Sequence, residues 1–154
     1  MKKFVVIALS FVMLFIFPLS AHATLANTSI SETIVFEDGS YIIATISEKP
    51  SLCEAAVLLA SSKTGTKTIR YYTAGNTLEW AFSVTGTFTY DGITAQAISA
   101  TASHNIYLSG WTCTGEIAWY SGSTASASAT FMNINLLTKN ASVSLSCSPN
   151  GTLS

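Results

Sequence analysis

The sequence predicts an all-β fold, an antiparallel β-sandwich of immunoglobulin-like architecture with about seven to nine strands. Three observations carry that expectation. Leu78, Trp80, Phe82, Val84, Gly86, Phe88 and Tyr90 alternate without a break with Glu79, Ala81, Ser83, Thr85, Thr87 and Thr89. Successive strand side chains point to opposite faces, so this run is one long strand with a buried and a wet face. The turn dipeptides Gly75-Asn76 and Asp91-Gly92 bound it, and further alternating runs recur at the spacing of a sandwich or barrel.

The chain begins with Lys2 and Lys3, an apolar run from Phe4 to Phe17, Pro18, and the small-x-small sequence Ala21-His22-Ala23. That order is the pattern of a secretory signal peptide, expected over residues 1–23. The apolar run is shorter than the roughly 20 residues needed to span a bilayer, which disfavours an uncleaved anchor. The leader also inflates the mean hydropathy of the whole chain, +0.43. Residues 24–32 read as a loose lead, and residues 33–154 as a single β-sandwich domain with a respectable core.

Within the domain, Thr33–Phe36 and Tyr41–Ser47 are expected as short strands around Glu37-Asp38-Gly39-Ser40, and Lys49-Pro50-Ser51 as a break. Residues 55–62 are ambiguous between a helix and a strand. A two-residue loop at Gly75-Asn76 sets Tyr71 against Trp80 and Ile69 against Phe82 inward, with Tyr72–Glu79 and Arg70–Ala81 outward. A two-residue loop at Asp91-Gly92 sets Tyr90 against Ile93, Phe88 against Ala95 and Gly86 against Ala97. A three-residue loop, Ser121-Gly122-Ser123, sets Trp119 against Ala125 and Ile117 against Ala127. The buried parity then changes from Ala125, Ala127, Ala129 and Phe131 to Met132, Ile134 and Leu136. A bulge or sheet switch near Phe131-Met132 would reconcile them, the second set pairing with Val143 and Leu145 across a Lys139-Asn140 turn. An antibody-type immunoglobulin domain is disfavoured, because Trp80 lies too far from Cys53 and no Tyr stands two residues before Cys113 or Cys147.

Charge narrows the function. Once Lys2 and Lys3 leave with the leader, five of the seven basic side chains face eight acidic ones, a net charge of −3. Nucleic acid, whose binding rests on phosphate neutralisation, is disfavoured. No stretch is basic and amphipathic, and no Cys beside the cleavage site accepts lipid, so the mature protein is expected to be released without a stable membrane anchor. Three cysteines, Cys53, Cys113 and Cys147, suit one disulfide and one leftover thiol in an oxidising compartment. Cys113 and Cys147 could bond across the core if their strands lie in opposite sheets, and an intervening strand would keep them apart if they share one meander; Cys53 could partner either, so three pairings stay open, with Cys113–Cys147 favoured.

No catalytic residue, cofactor or metal ligand is indicated. His104 beside Asn105 reads as a surface residue, no His/Cys/carboxylate set has ligand spacing, and no serine sits in a nucleophile elbow. Asp91 is explained by its turn. Trp80, Trp111 and Trp119 occupy the apolar parity and read as core. Tyr72 and Tyr120 take the outward parity with Arg70, Glu79 and Glu116 nearby, a candidate face for a carbohydrate or protein. Asn27-Thr28-Ser29, Asn140-Ala141-Ser142 and Asn150-Gly151-Thr152 match glycosylation acceptors, a pattern that Ser/Thr-rich sequence produces by chance.

The stretches Val84-Thr85-Gly86-Thr87-Phe88-Thr89-Tyr90-Asp91-Gly92 and Ser146-Cys147-Ser148-Pro149-Asn150-Gly151-Thr152-Leu153-Ser154 resemble small secreted proteins of Gram-positive, especially clostridial, bacteria. That family has no known function, and the likeness spans about Gly65 to Ser154. The resemblance implies secretion and no activity; Gln96 and Ala97 stand where its members often carry a Cys. The reading is an exported, non-enzymatic sandwich that binds an extracellular or cell-envelope polymer or protein. The alternatives are a secreted toxin or bacteriocin-like effector, suggested by Ser121–Thr130, and a small hydrolase whose acids, or His104 and an acid, meet only in the fold.

Overall fold

The computed structural model describes residues 28–49 and 61–154. The expected leader, residues 50–60 and Cys53 lie outside the described residues. Among the described residues, eight strands form two antiparallel sheets. One contains β1 (Thr28–Val35), β2 (Tyr41–Glu48), β3 (Ser61–Tyr72), β4 (Leu78–Tyr90) and β5 (Ala95–Ile106). The other contains β6 (Trp111–Ser121), β7 (Thr124–Asn133) and β8 (Thr138–Ser146). The antiparallel sandwich is therefore as the alternation predicts. Within each sheet the strand order is the chain order, so the fold is two packed meanders without Greek-key crossings. Residues 28–32, expected as a loose lead, belong to β1, and Ser61 and Ser62 open β3.

The core lies where the long alternating run placed it. Trp80, Phe82, Val84 and Phe88 of β4 are buried against Ala125, Ala127, Ala129 and Phe131 of β7 and Val143 and Leu145 of β8. Phe131 stacks flat on Trp80 at 4.0 Å between ring centroids, and Tyr71 stacks on Trp80 at 5.0 Å. Trp111 packs edge-on to Tyr71 and Trp80. Aromatic contacts of this kind add about 0.5–1.5 kcal/mol each beyond the area they bury.

The hairpins correct several expected registers. Tyr71 faces Trp80, Ile69 faces Phe82 and Arg70 faces Ala81 as read, but Tyr72 faces Leu78 across a register shift at Glu79. The reason is a longer loop, in which Thr73 bonds Thr77 and Asn76 takes a left-handed φ of 62°. Beyond Asp91-Gly92 the register is two residues from that expected, with Tyr90 opposite Ala95 and Phe88 opposite Ala97. Asp91 explains this, because its carboxylate accepts the N–H groups of Ile93 (2.9 Å) and Thr94 (2.7 Å) and closes a four-residue loop. The β7–β8 ladder runs without interruption from Thr124–Ser146 to Met132–Thr138, so there is no bulge at Phe131-Met132. Lys139 and Asn140 lie in β8, while Ile134 and Leu136 are exposed in the turn before it.

That turn repeats one design. The N–H groups of Phe36, Thr73, Asn133 and Ser148 bond the carbonyls of Ser40, Thr77, Leu137 and Thr152 at 2.8–3.0 Å. The N–H groups of Gly39, Asn76, Leu136 and Gly151 return to the first residue of each loop, all at positive φ. This is the three-residue hairpin loop that needs a left-handed residue. Gly and Asn meet that need readily, whereas leucine does not.

Candidate functional site

The chemistry-bearing residues converge on β6. Cys113 faces Phe131 and Thr114 faces Thr130, but the next pair is Ile117–Ser128, so Gly115 and Glu116 together oppose Ala129. Gly115 has φ 66°, and a Cβ there would meet nothing within 4 Å. Backbone conformation, not packing, therefore calls for glycine. A left-handed glycine that adds one residue to a strand makes a β-bulge, which re-aims the side chains beyond it.

This bulge corrects the expected faces. With Gly115 as the extra residue, Glu116 joins Cys113 on the inward parity and Ile117 and Trp119 turn outward. Ser121 pairs with Thr124, Tyr120 with Ala125 and Trp119 with Ser126, so the hairpin loop is Gly122-Ser123. Ile117 and Trp119, expected in the core, are 57% and 45% exposed. Tyr120, expected outward, shares the inward parity of Ala125 yet is half-exposed at the end of the strand.

Two surfaces result. The outer face of the three-stranded sheet carries Ile117 and Trp119 of β6 beside Ser126, Ser128 and Thr130 of β7 and Asn140, Ser142 and Ser144 of β8. None of the strand residues on this face is charged. Hydroxyl pairs tie it together: Ser126–Ser144 at 2.9 Å, Thr124–Ser146 at 2.9 Å, and Thr130 donating to Asn140 at 3.1 Å. Ser126 is buried although it sits on this outer face between Trp119 and Ser144. A groove of about 230 Å³ lies beside the bulge, with Ser128, Thr130, Asn140 and Ser142 as its polar lining.

Beneath the bulge, three side chains meet. His104 of β5 is held to the Glu116 carboxylate through Nδ1 at 2.5 Å, and its ring stands edge-on to Phe131. Ligand atoms of His104, Cys113 and Glu116 all lie within 4.8 Å of one another. His104 is thus brought to an acid, one part of what the hydrolase alternative requires, the other being a cleft around the pair. A nucleophilic cysteine, however, requires a lowered thiol pKa. Burial, and then the nearby Glu116 charge, push the Cys113 thiol up instead. A raised thiol pKa works against a nucleophilic role for Cys113 itself.

The remaining expected site residues are spread over both sheets. Arg70 donates to the Thr45 hydroxyl at 2.9 Å on the outer face of the five-stranded sheet, and Tyr72 stacks on Tyr41 at 4.9 Å. Glu79 occupies the shift opposite Tyr72, its carbonyl accepting the N–H groups of Tyr107 and Leu108. Arg70, Tyr72 and Glu79 therefore do not share a face with Glu116 and Tyr120. The Cys113–Cys147 disulfide is also corrected, because both thiols are free. Cys113 faces Phe131 while the Cys147 N–H bonds the Ser123 carbonyl at 3.0 Å. They lie at opposite ends of one sheet with β7 between them, roughly 25 Å apart at 3.4 Å per residue, far beyond disulfide reach. The segment Ser121–Thr130 ends β6 and supplies most of β7, the central strand of that sheet.

Sequence parity missed His104, Cys113 and Glu116 as a group and Trp119 as a surface residue. The available signal was the interior glycine, since glycine within a strand often marks a bulge. Comparison with known proteins adds no further identification: no family model matches the chain, and neither a curated protein nor a solved structure does.

Proposed function

We propose that the protein is an exported, non-enzymatic binding domain whose outer three-stranded face takes a neutral carbohydrate polymer of the cell envelope or extracellular medium. The observation that carries this reading is the uncharged face on which exposed Ile117 pairs with Ser128 of a hydroxyl- and amide-lined groove, and exposed Trp119 with Ser126, the next outward residue of β7. Sugar rings present C–H faces that pack on an indole and hydroxyls that exchange hydrogen bonds with Ser, Thr and Asn side chains. The absence of charge on the face disfavours acidic polymers as ligands, and the chain's leader-like start supports export.

The test is binding of the chain lacking residues 1–23 to a glycan array and to purified cell-wall polysaccharide. Trp119→Ala should weaken binding at least about tenfold, the scale of 1.4 kcal/mol. Tyr72→Ala, on the other sheet, should leave it unchanged. Glycan binding that survives Trp119→Ala together with Ile117→Ala would remove this face from consideration.

A further inference from the structure

We propose that His104, Cys113 and Glu116 form a zinc site that clasps the two sheets at their β5–β6 seam. The three donor atoms already lie within 4.8 Å of one another. Ligands around a tetrahedral Zn²⁺, bound at about 2.0–2.3 Å, stand roughly 3.3–3.8 Å apart, so side-chain rotations suffice to seat the ion. Imidazole nitrogen, thiolate sulfur and carboxylate oxygen form a donor set suited to a borderline-soft transition ion and unsuited to Ca²⁺ or Mg²⁺.

The backbone supplies the second argument. Residues three apart on a regular strand point to opposite faces, so Cys113 and Glu116 would not otherwise share a ligand. The Gly115 bulge puts them on one face, opposite His104 from β5. Glycine at this position serves no packing contact, since a Cβ would meet nothing within 4 Å. Its visible consequence is the convergence of these three groups.

The location gives the ion a mechanical role. His104 belongs to one sheet, Cys113 and Glu116 to the other, and no ladder pairs β5 with β6. At the far end of this seam, seven residues along β5 from His104, Ala97 donates to the Gly122 carbonyl at 2.8 Å between the two sheets. A metal held from both strands would close the corner that these strands leave unladdered. Its three protein ligands leave a fourth position for water or a group brought by a partner. His104 and Glu116 side chains are 39% and 29% exposed, so an ion has access.

The experiment uses the full mature chain, reduced and stripped of metal, titrated with Co²⁺ and then Zn²⁺. One Co²⁺ per chain should bind with a thiolate-to-cobalt charge-transfer band and tetrahedral visible bands, and Zn²⁺ should displace it. Cys113→Ser should abolish the charge-transfer band. His104→Gln and Glu116→Gln should each weaken Zn²⁺ binding at least about 100-fold, because even outer-shell partners contribute 10–100-fold. Cys147→Ser is the thiol control and should leave the spectrum unchanged. Circular dichroism of each metal-free variant verifies that lost binding is not lost folding, and Zn²⁺ should raise the melting temperature of the parent but not of Cys113→Ser. A parent without the charge-transfer band, a band that persists in Cys113→Ser, or a native disulfide between Cys113 and Cys53 would overturn the site.

Discussion

Strands β4 and β6 are both long, both rich in aromatics, and both interrupted by one glycine, yet the glycines do opposite things. Gly86 of β4 stays in register opposite Gly65 and Ala100 and is buried. A Cβ there would lie 2.7 Å from the Ala125 Cβ and 2.7 Å from the Phe88 ring, so the residue is small because the facing sheet comes close. Gly115 of β6 has open space around it and a left-handed backbone. One glycine permits packing between sheets and preserves the alternation. The other spends a residue on a bulge and reverses every face assignment after it.

Deleting each glycine gives the sharpest contrast and the largest expected effect. Loss of Gly86 would shift Phe88 and Tyr90 to the face opposite Trp80, Phe82 and Val84, which no register can bury together. Cooperative unfolding should disappear. Loss of Gly115 removes only the extra residue, leaving Glu116 opposite Ala129 and Trp119 opposite Ser126. That variant should fold, at a cost of no more than about 3 kcal/mol, the ordinary range of a single change. Urea titrations of both deletions decide it; a folded Gly86 deletion would mean that β4 is not constrained by its alternation. The substitutions sharpen the same point. Gly86→Ala should cost about 1–3 kcal/mol through overpacking, and replacement by Asn at this site more. Gly115→Ala should cost about 1–2 kcal/mol through its left-handed φ, and Gly115→Asn less, because Asn tolerates that conformation.

This contrast also marks how far the sequence was legible. Alternation located β4 and the burial of Trp80 and Phe82, because nothing breaks the period between Leu78 and Tyr90. It predicted the inward set of β7 through Phe131 for the same reason. It failed where one backbone dihedral decides the outcome: at Gly115, at the Asp91 loop and at Leu136. Side-chain type carries little information about an added residue, so Trp119 and Ile117 looked like core and Glu116 like surface. The His104–Cys113–Glu116 group was hidden twice, first by that parity and then because His104 reaches it from the other sheet.

The loops extend the comparison to smaller energies. In the β3–β4 loop the left-handed position is Asn76, while the equivalent position of the β7–β8 loop is Leu136, with φ 62° and 76% exposure. Asn133 offsets part of this strain, its side-chain oxygen accepting the N–H groups of Asn135 and Leu137 at 2.9 Å. A left-handed non-glycine residue costs roughly 1–2 kcal/mol, and the exposed leucine has little burial to lose. Leu136→Asn should therefore stabilise the protein by about 0.5–1 kcal/mol, seen as a melting temperature about 2–5 °C higher. An unchanged or lower melting temperature would show that this leucine contributes a contact worth its strain.

The smallest effect concerns the β4–β5 loop, which closes on a charge. The backbone N–H groups of Thr94 and then Ile93 hold the Asp91 carboxyl below the usual carboxylate range. A carboxylate whose pKa is lower in the folded than in the unfolded chain stabilises the fold when ionised. That contribution is complete above the unfolded value, near pH 4, and is lost as pH falls through the lower folded value. Asp91 is fully exposed, so solvent screens the effect and the difference should be small. Asp91→Asn should lower stability slightly at pH 7 while flattening the acid limb, so the two proteins converge as pH drops toward 2. Asp38, also held low by its hydrogen bonds to Ser40, acts identically in both and cancels from the comparison. Urea midpoints of the pair measured from pH 7 to pH 2 provide the check: a gap that stays constant across that range would mean the loop closes through neutral hydrogen bonding, with no contribution from the charge.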